Sequence, residues 1–282
     1  MYLMSSYQNY SGASHTYDKT RAPVGIEVIR QVLADGPVSL QHQIVVDGGC
    51  GTGLYTAALA PAVGQIEAVD INPEMLAQAR SKIASAGYRG RVLFHQAPID
   101  LLPLRDESAD AVMVNQVLHH LPDNAAAGWP NHARVLREFA RVLKPGGTVI
   151  INSCGQEQLE RGFWFYHLIP EALQKMKEKV INLETLDDLL WQSGFVRVRR
   201  QVPYSIVLQG EAYFHAEGIL DPAWRSGDSI WSLVSESDLE PILERISNLK
   251  STGDLGTLVQ QADCSRSRVG QITFTIARKT TD

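Results

Sequence analysis

This 282-residue sequence has few cysteines, no long apolar run and no large excess of charge of either sign. Its three cysteines, Cys50, Cys154 and Cys264, are too few and too scattered for a disulfide framework or a zinc site, so we expect no metal. No uninterrupted apolar stretch approaches the ~20 residues of a membrane span. The first ten residues lack the basic start and apolar run of a signal peptide. These absences predict a cytoplasmic protein without a membrane span.

The charge of the chain also argues against nucleic acid as a partner. The formal net charge is -5, and the only dense basic cluster, residues 197–200, is interpreted as an exposed strand face rather than a track for phosphates. We therefore expect a small-molecule partner. The oligomeric state is not indicated by the sequence.

Strands and helices are predicted to alternate up to residue 153. Short β-branched runs are separated by segments with the apolar spacing of helices, which indicates βαβ units and a parallel sheet. Strands are predicted at 43–46, 65–69, 91–94, 111–114 and 148–152, and helices at 25–33, 56–60, 73–86 and 133–143.

This alternation breaks down after residue 153. An aromatic run at 161–167 is followed by a predicted helix at 171–179, a second helix opened by a capping box at Thr185, and strands at 195–202 and 271–278. The segment between these strands is too long for a hairpin loop, so a helical insertion is expected. The predicted parts of this one domain are an N-terminal lid segment (1–42), a core (43–153), a cap segment with the sixth strand (154–203), an insertion (204–270) and a last strand (271–282).

The strongest motif is VVDGGCGTG, residues 45–53, between a predicted strand and a predicted helix. Glycines at this point allow a tight turn and the close approach of a ligand, and the helix N-terminus that follows favours a carboxylate or a phosphate. The dinucleotide fingerprint G-x-G-x-x-G is not met, because Leu54 or Thr56 occupies the place of the third glycine.

A second feature is Asp70, which ends the next predicted strand in AVDINPEML. A carboxylate at this position is placed to accept hydrogen bonds from a ribose diol. The alternative is that Asp70 caps the following helix, but Asn72, directly before Pro73, is the better candidate for that cap.

Four successive segments, DGGCGTG, AVDIN, LPLRDESADAVMVNQVLHHL and REFARVLKPGGTVIIN, resemble the ordered motifs of class I S-adenosylmethionine-dependent methyltransferases. The resemblance spans residues 40–153 and is strongest to the branch of ubiquinone/menaquinone-type and other small-molecule enzymes. It implies a Rossmann-like α/β fold with a seven-stranded, mostly parallel sheet, helices on both faces, an antiparallel last strand and helical cap insertions. It also implies S-adenosyl-L-methionine as cofactor and S-adenosyl-L-homocysteine as product.

The resemblance assigns cofactor roles residue by residue. This sequence departs from the pattern at Pro98, where many relatives carry an acid, so the adenine amino group is left to a backbone group or to Gln96. The implied residues are Asp47, Gly48, Gly49, Cys50, Gly51 and Gly53 for the methionine portion, Asp70 for the ribose, Ile71 and Met75 for the adenine face, Ala97, Pro98 and Ile99 for the adenine edge, and Asn115 and Gln116 for the methionine amino group.

Candidates for the acceptor side are less specific. His119 and His120 follow the fourth predicted strand, and one of them is a candidate general base; the alternative is that they only shape the site. Tyr17 and Arg21 are interpreted as a lid over the cofactor or as the start of a surface helix. The segment 221–228 has no assigned role. Aromatic and polar residues expected either to line an apolar or aromatic acceptor pocket or to form the core of the cap are Phe163, Tyr166, His167, Trp224 and Arg225.

Several functions compete with methyl transfer to an O, N or C atom of a small metabolite. An NAD(P)-dependent oxidoreductase lacks support, since the third glycine and a Tyr-x-x-x-Lys couple are missing. A nucleic-acid methyltransferase is disfavoured because NQVLHH replaces the Asn/Asp-Pro-Pro-aromatic run of enzymes that methylate base amines. A third alternative stays open, namely a protein that binds the cofactor as a cyclase or a scaffold without transferring the methyl group. The cofactor motifs of such a protein would be the same.

Overall fold

One sheet of seven strands runs through the part of the chain that the computed structural model describes, residues 21–281. The strands are β1 (Ile44–Gly48), β2 (Gln65–Asp70), β3 (Val92–Gln96), β4 (Ala109–Asn115), β5 (Leu143–Ser153), β6 (Phe195–Gln201) and β7 (Thr273–Lys279). Their order across the sheet is β3-β2-β1-β4-β5-β7-β6. β7 runs antiparallel to both of its neighbours, and the other pairings are parallel. The predicted fold class is confirmed.

The direction in which the chain adds strands reverses at β1. From β1 the chain moves outward through β2 and β3, and it then returns to place β4 on the other side of β1. Gly48 is level with Val69 of β2 and with Val114 of β4, so the carboxyl ends of these three strands meet at one edge. Ligands of open α/β sheets bind outside the carboxyl ends of the strands at such a reversal.

Neighbouring side chains of each central strand belong to two separate cores, one on each face of the sheet. In β1, Val45 packs in one core and Val46 in the other, as the alternation of a strand requires. The helices of this region are α1 (Ile26–Ala34), α2 (Leu54–Leu59) and α3 (Pro73–Ser85) on the face of Val45, and α4 (Pro130–Val142) on the face of Val46. Helices thus cover both faces, as expected.

Three helices follow β5: α5 (Gln156–Arg161), α6 (Pro170–Lys179) and α7 (Leu183–Gln192). The predicted capping box at Thr185 is wrong. The cap of α7 is Asn182, whose side-chain oxygen accepts the Thr185 amide at 2.7 Å. Thr185 is therefore already the third residue of the helix, because an asparagine three positions earlier provides the same short acceptor.

The segment between β6 and β7 is helical, as predicted. Three short 3₁₀ turns lie in it, at 210–214, 216–220 and 229–233. None of the helices described between residues 21 and 281 is both long and apolar enough to cross a membrane. The helices of this segment are α8 (Pro222–Arg225), α9 (Glu236–Thr252), α10 (Leu255–Ala262) and α11 (Arg266–Val269).

Buried aromatic rings join this insertion to the segment after β5. The ring of Phe165 is stacked on that of Trp231, with centroids 5.9 Å apart, and meets the ring of Trp224 edge to face. The Trp164 indole donates a hydrogen bond to the Tyr213 carbonyl at 3.0 Å, which satisfies its only donor inside this core. The two segments therefore form one cap, and its aromatic rings belong to the same core as the face of the sheet that carries Val45.

The buried side chain of Gln158 joins this cap to the sheet. Its amide oxygen accepts the Gly155 amide at 2.8 Å and the Thr273 hydroxyl at 3.0 Å. Its amide nitrogen donates to the carbonyls of Val269 and Ile272, both at 3.0 Å. One side chain in α5 thus satisfies backbone groups where the chain leaves the insertion and enters β7.

We expect Gln158→Leu to lower the free energy of unfolding by about 3 kcal/mol, because several buried donors and acceptors lose their partners at once. Urea denaturation followed by circular dichroism measures this change. Gln192→Leu, at an exposed position of α7, is the matched control and should change stability little. Equal stabilities of the two variants would contradict the role given to Gln158.

Candidate active site

The turn that follows β1 contains three glycines in the left-handed region. Gly49, Gly51 and Gly53 have φ angles of +72°, +54° and +77°, which other residues rarely adopt. A Cβ at Gly49 would lie 2.6 Å from a methyl of Val117, and one at Gly53 would lie 2.9 Å from Ala79. A Cβ at Gly51 would meet no atom of the described residues within 4 Å. The turn is closed by packing at its two ends and open at its middle.

The carboxylate of Asp70 faces this turn from the end of β2. Its two oxygens accept the backbone amides of Gly51 and Asn72, each at 2.8 Å. Burial raises the pKa of Asp70, and these backbone hydrogen bonds oppose the rise. Each oxygen keeps a lone pair for a further donor, which is what a ribose diol needs. Asn72 caps α3 by accepting the amides of Glu74 and Met75, so Asp70 is not the cap of that helix.

Asp47 lies under the turn, at the end of β1, and is buried. The Thr56 hydroxyl of α2 donates to its carboxylate at 2.5 Å. Burial raises the pKa of Asp47 to about 7; the Thr56 hydrogen bond opposes the rise, and the negative charge of Asp70 adds to it. Two carboxylates therefore share this small, poorly solvated region, which favours a cationic ligand.

The end of β4 presents two amide side chains to the same edge. Gln116 has a φ of +55°, a strained conformation for this residue, and its backbone amide donates to the Asn152 carbonyl at 2.8 Å. The side-chain nitrogen of Asn115 is buried and has no hydrogen-bond partner. An orphaned donor of this kind costs about 1–3 kcal/mol, and a ligand oxygen would relieve it. The Asn115 nitrogen therefore favours a ligand group that accepts a hydrogen bond.

The residues expected around adenine lie beside Asp70. Ile71 is exposed despite its apolar side chain, while Met75 is buried behind it in α3. The Ala97 amide donates to the Asp70 carbonyl at 3.1 Å, which fixes the start of the loop 97–99. Ile99 is buried against the Cβ position of Gly48. An exposed apolar side chain next to a carboxylate fits a flat apolar ring joined to a ribose.

His119 and His120 lie in a short helical turn after β4, with ring centroids 4.0 Å apart. Burial lowers the pKa of His119 to about 3, and the positive charges of Arg21 and Lys179 lower it further. The pKa of His120 is also well below its ordinary value, first because of burial. Both rings are therefore neutral at pH 7, and an imidazole with such a low pKa is poorly matched to general-base catalysis.

A set of buried polar groups lies between the cap and the ends of β4 and β5. The Tyr166 hydroxyl is 3.3 and 3.4 Å from the two carboxylate oxygens of Asp228. The Arg21 side chain donates to the Gly227 carbonyl at 2.6 Å. The Cys154 thiol contacts the Gln116 side-chain oxygen at 3.7 Å. Burial raises the pKa of Cys154 to about 12, and the negative charge of Asp228 adds to the rise, which Arg21 and Gln116 oppose. The name cap-edge cluster is used below for these residues, which are Arg21, Gln116, Cys154, Tyr166 and Asp228.

The structure brings some of the predicted acceptor-side residues to this cluster and leaves others apart. Phe163 is stacked on Tyr166 at 4.3 Å. His167 is exposed, and the Trp224 indole donates to the Ala212 carbonyl within the cap core. Arg225 donates to the Ile219 carbonyl. Tyr17 lies outside the described residues.

Asp228 and Cys154 were missed by sequence reasoning as members of the site. The segment 221–228 is distinctive, but nothing in it shows that Asp228 meets Tyr166. Cys154 directly follows β5, and its place at the carboxyl edge of the sheet was the available signal. Across residues 21–281, no three His, Cys, Asp or Glu side chains are grouped so that they could hold a metal ion.

Known proteins resemble the chain in both sequence and fold. A family model described as a methyltransferase domain matches residues 46–151. An uncharacterized methyltransferase from Mycobacterium tuberculosis is 32% identical over 50% of this chain and 66% of its own length. A ubiquinone/menaquinone biosynthesis C-methyltransferase from Klebsiella pneumoniae is 31% identical over 55% of this chain and 67% of its own length. The chain thus spans about two thirds of the length of these curated relatives.

Solved structures with less than 25% identity share the fold. One from Anabaena variabilis, described as a methyltransferase of an antibiotic biosynthesis pathway, has a TM-score of 0.72 and 19% identity, and the alignment covers 92% of this chain and 98% of that one. A phosphoethanolamine N-methyltransferase from Haemonchus contortus, in complex with S-adenosyl-L-methionine, has a TM-score of 0.60 and 17% identity, over 98% of this chain and 58% of that one. The cyclase SpnF has a TM-score of 0.54 and 20% identity, and the alignment covers 91% of this chain and 82% of that one.

The raised pKa of Asp47 predicts a stability that falls as pH rises. Between about pH 4 and pH 7 the folded chain binds a proton at Asp47 that the unfolded chain, with a pKa of 3.8, has already lost. The stabilisation is therefore present at low pH and is lost as pH increases to 7. We expect Asp47→Asn to be more stable than the wild type at pH 8 by about 3 kcal/mol, and nearly equal at pH 4.5.

Denaturant unfolding of the ligand-free protein at the two pH values measures this difference. Asp35→Asn, at an exposed position, is the control for the loss of one negative charge. If Asp47→Asn and the wild type keep a constant stability difference across the range, Asp47 does not ionise as described.

Proposed function

The chain belongs to the class I S-adenosylmethionine-dependent methyltransferases, and we propose that it transfers the methyl group of S-adenosylmethionine to an O, N or C atom of a small molecule. The observation that carries this proposal is the open middle of the glycine turn at Gly51, bounded by the carboxylate of Asp70. The relatives include a ubiquinone/menaquinone C-methyltransferase, which supports an acceptor with an apolar or aromatic body.

The residues present fit the cofactor at three separate points. Asp70 would accept hydrogen bonds from the ribose hydroxyls, and Ile71 would cover one face of the adenine. The open backbone at Gly51 leaves room for the amino-acid portion, whose carboxylate would satisfy the orphaned nitrogen of Asn115. The bound cofactor supplies an electrophilic methyl group on a sulfonium. The buried carboxylate of Asp47 lies behind the turn and favours that positive charge.

The protein's part in the reaction is to exclude water and align the acceptor with the methyl carbon. Orientation of this kind supplies up to roughly 7–11 kcal/mol in the best cases. The cap-edge cluster lies where the cap meets the carboxyl ends of β4 and β5, and the buried, stacked rings of Phe163 and Tyr166 make the cap apolar at this point. We place the acceptor between this part of the cap and the methyl group.

A second candidate is a protein that binds the cofactor without transferring its methyl group. It is favoured by the low pKa values of His119 and His120, which make both imidazoles weak bases, and by the fold shared with a cyclase. Labelled methyl transfer to a small-molecule extract separates the two, since both bind S-adenosylhomocysteine but only a methyltransferase yields labelled product.

We expect S-adenosylhomocysteine to raise the melting temperature of the protein and NAD to leave it unchanged. A micromolar ligand at millimolar concentration stabilises the native state by about 4 kcal/mol. Asp70→Asn should lose most of this shift, because an amide accepts fewer hydrogen bonds from a diol than a carboxylate does. A shift with NAD and none with S-adenosylhomocysteine would overturn the proposed function.

Gly51→Ala tests whether the open middle of the turn holds the cofactor. The new methyl group enters space that packs against no described residue, and we expect at least about tenfold weaker binding of S-adenosylhomocysteine by calorimetry. Gly87→Ala is the matched control, since Gly87 also has a positive φ, of +82°, and open space around its Cβ position. Both variants should carry a similar strain of about 1–2 kcal/mol. Similar affinities of the two variants would contradict this position for the cofactor.

A further inference from the structure

Asp228 is a buried carboxylate that lies outside the sequence motifs assigned to the cofactor. It lies in the insertion, only 5% exposed, at the start of the turn 229–233. Its carboxylate accepts the Ile230 amide at 3.1 Å and long hydrogen bonds from the Tyr166 hydroxyl at 3.3 and 3.4 Å. Burying a carboxylate with so few short hydrogen bonds is unfavourable unless another donor completes its shell.

The carboxylate lies near the strand ends at which the methyl group is proposed to be presented. Tyr166 links Asp228 to the segment after β5, and the charge of Asp228 acts on the thiol of Cys154, which touches Gln116 at the end of β4. Arg21 contacts the residue before Asp228 and also acts on His119, so the same guanidinium lies near both sides of this region. Asp228 is thus the acidic group of the cap-edge cluster.

The neighbours of Asp228 select the kind of donor that could complete its shell. The stacked rings of Phe163 and Tyr166, both almost fully buried, lie beside it, so the surroundings of Asp228 are apolar and aromatic. Burial raises the pKa of Asp228, and the positive charge of Arg21 opposes this rise. Burial lowers the pKa of both histidines, and Arg21 lowers it further, so a cationic amine is disfavoured at the same place. A neutral hydroxyl group is the donor that agrees with both features.

We propose that Asp228 and Tyr166 bind a hydroxyl group of the acceptor, so that the substrate is an apolar or aromatic molecule carrying a hydroxyl. This inference rests on the proposed methyltransferase function and adds the class of acceptor to it. Neither residue belongs to the motifs of the cofactor half, since both come from the cap.

The same contact gives the reaction a destination for its proton. As the hydroxyl oxygen forms a bond to the methyl carbon, the bond between that carbon and sulfur breaks and sulfur keeps the electron pair. The hydroxyl proton passes to the Asp228 carboxylate and leaves to water after the methyl ether departs. Burial raises the pKa of Asp228, which brings this carboxylate closer to the range in which it can accept a proton at neutral pH.

Two matched probes test the inference in the protein saturated with S-adenosylhomocysteine. 2-Naphthol carries the hydroxyl, and 2-methoxynaphthalene has the same ring without the donor. Calorimetry should show that the wild type prefers 2-naphthol by about tenfold or more, the difference expected for a hydrogen bond to a charged group. 2-Naphthylmethylamine, which is cationic at pH 7, should bind no better than the ether.

Asp228→Asn should reduce the preference for 2-naphthol to less than about threefold, and Tyr166→Phe should reduce it in part. Asp221→Asn is the control, because Asp221 is an exposed carboxylate that caps α8 in the same segment. Affinity for S-adenosylhomocysteine should be unchanged in all three variants, which also shows that each is folded.

Wild-type protein that binds S-adenosylhomocysteine but shows no preference for 2-naphthol would overturn the inference, and so would a full preference in Asp228→Asn or tighter binding of the amine. Failure of the wild type to bind S-adenosylhomocysteine would instead remove the proposed function itself. The two failures are therefore distinguishable in one set of titrations.

Discussion

The hydrogen bond between the Gly51 amide and the Asp70 carboxylate joins the two strand ends on which the candidate site depends. The amides of Gly49 and Cys50 add to it by donating to the Val69 carbonyl at 2.8 and 2.9 Å. Because these contacts lie within the protein, the turn holds its shape before a ligand arrives. A backbone organised in advance binds with a smaller loss of conformational entropy.

This organisation has an electrostatic cost. Burial raises the pKa of both Asp47 and Asp70, and the negative charge of Asp70 adds to the rise at Asp47. A ligand that brings positive charge to the turn would lower both pKa values and recover the lost stability. The same burial that weakens the ligand-free protein above neutral pH is therefore what selects a cationic ligand. Stability and binding are opposed at this point of the fold.

The two halves of the site are built differently. The cofactor half that we propose consists of residues 47–116, a nearly continuous stretch in which the strands end at one edge of the sheet. The other half comes from separate segments, with Arg21, Cys154, Tyr166 and Asp228 brought together by the cap. Contacts between buried aromatic rings join the segments of the cap, and its polar groups thereby come together although they lie far apart in the chain.

The sequence by itself determined the order of strands and helices and the glycine turn, because alternation, helical spacing and turn chemistry are local properties. It also determined that Asp70 would face that turn, since the ends of adjacent parallel strands must meet. Only the tertiary structure decided that burial makes His119 a weak base and that Asp228 reaches Tyr166. The physical reason is that burial and hydrogen bonding between distant segments depend on how the cap packs, which no local pattern of residues encodes.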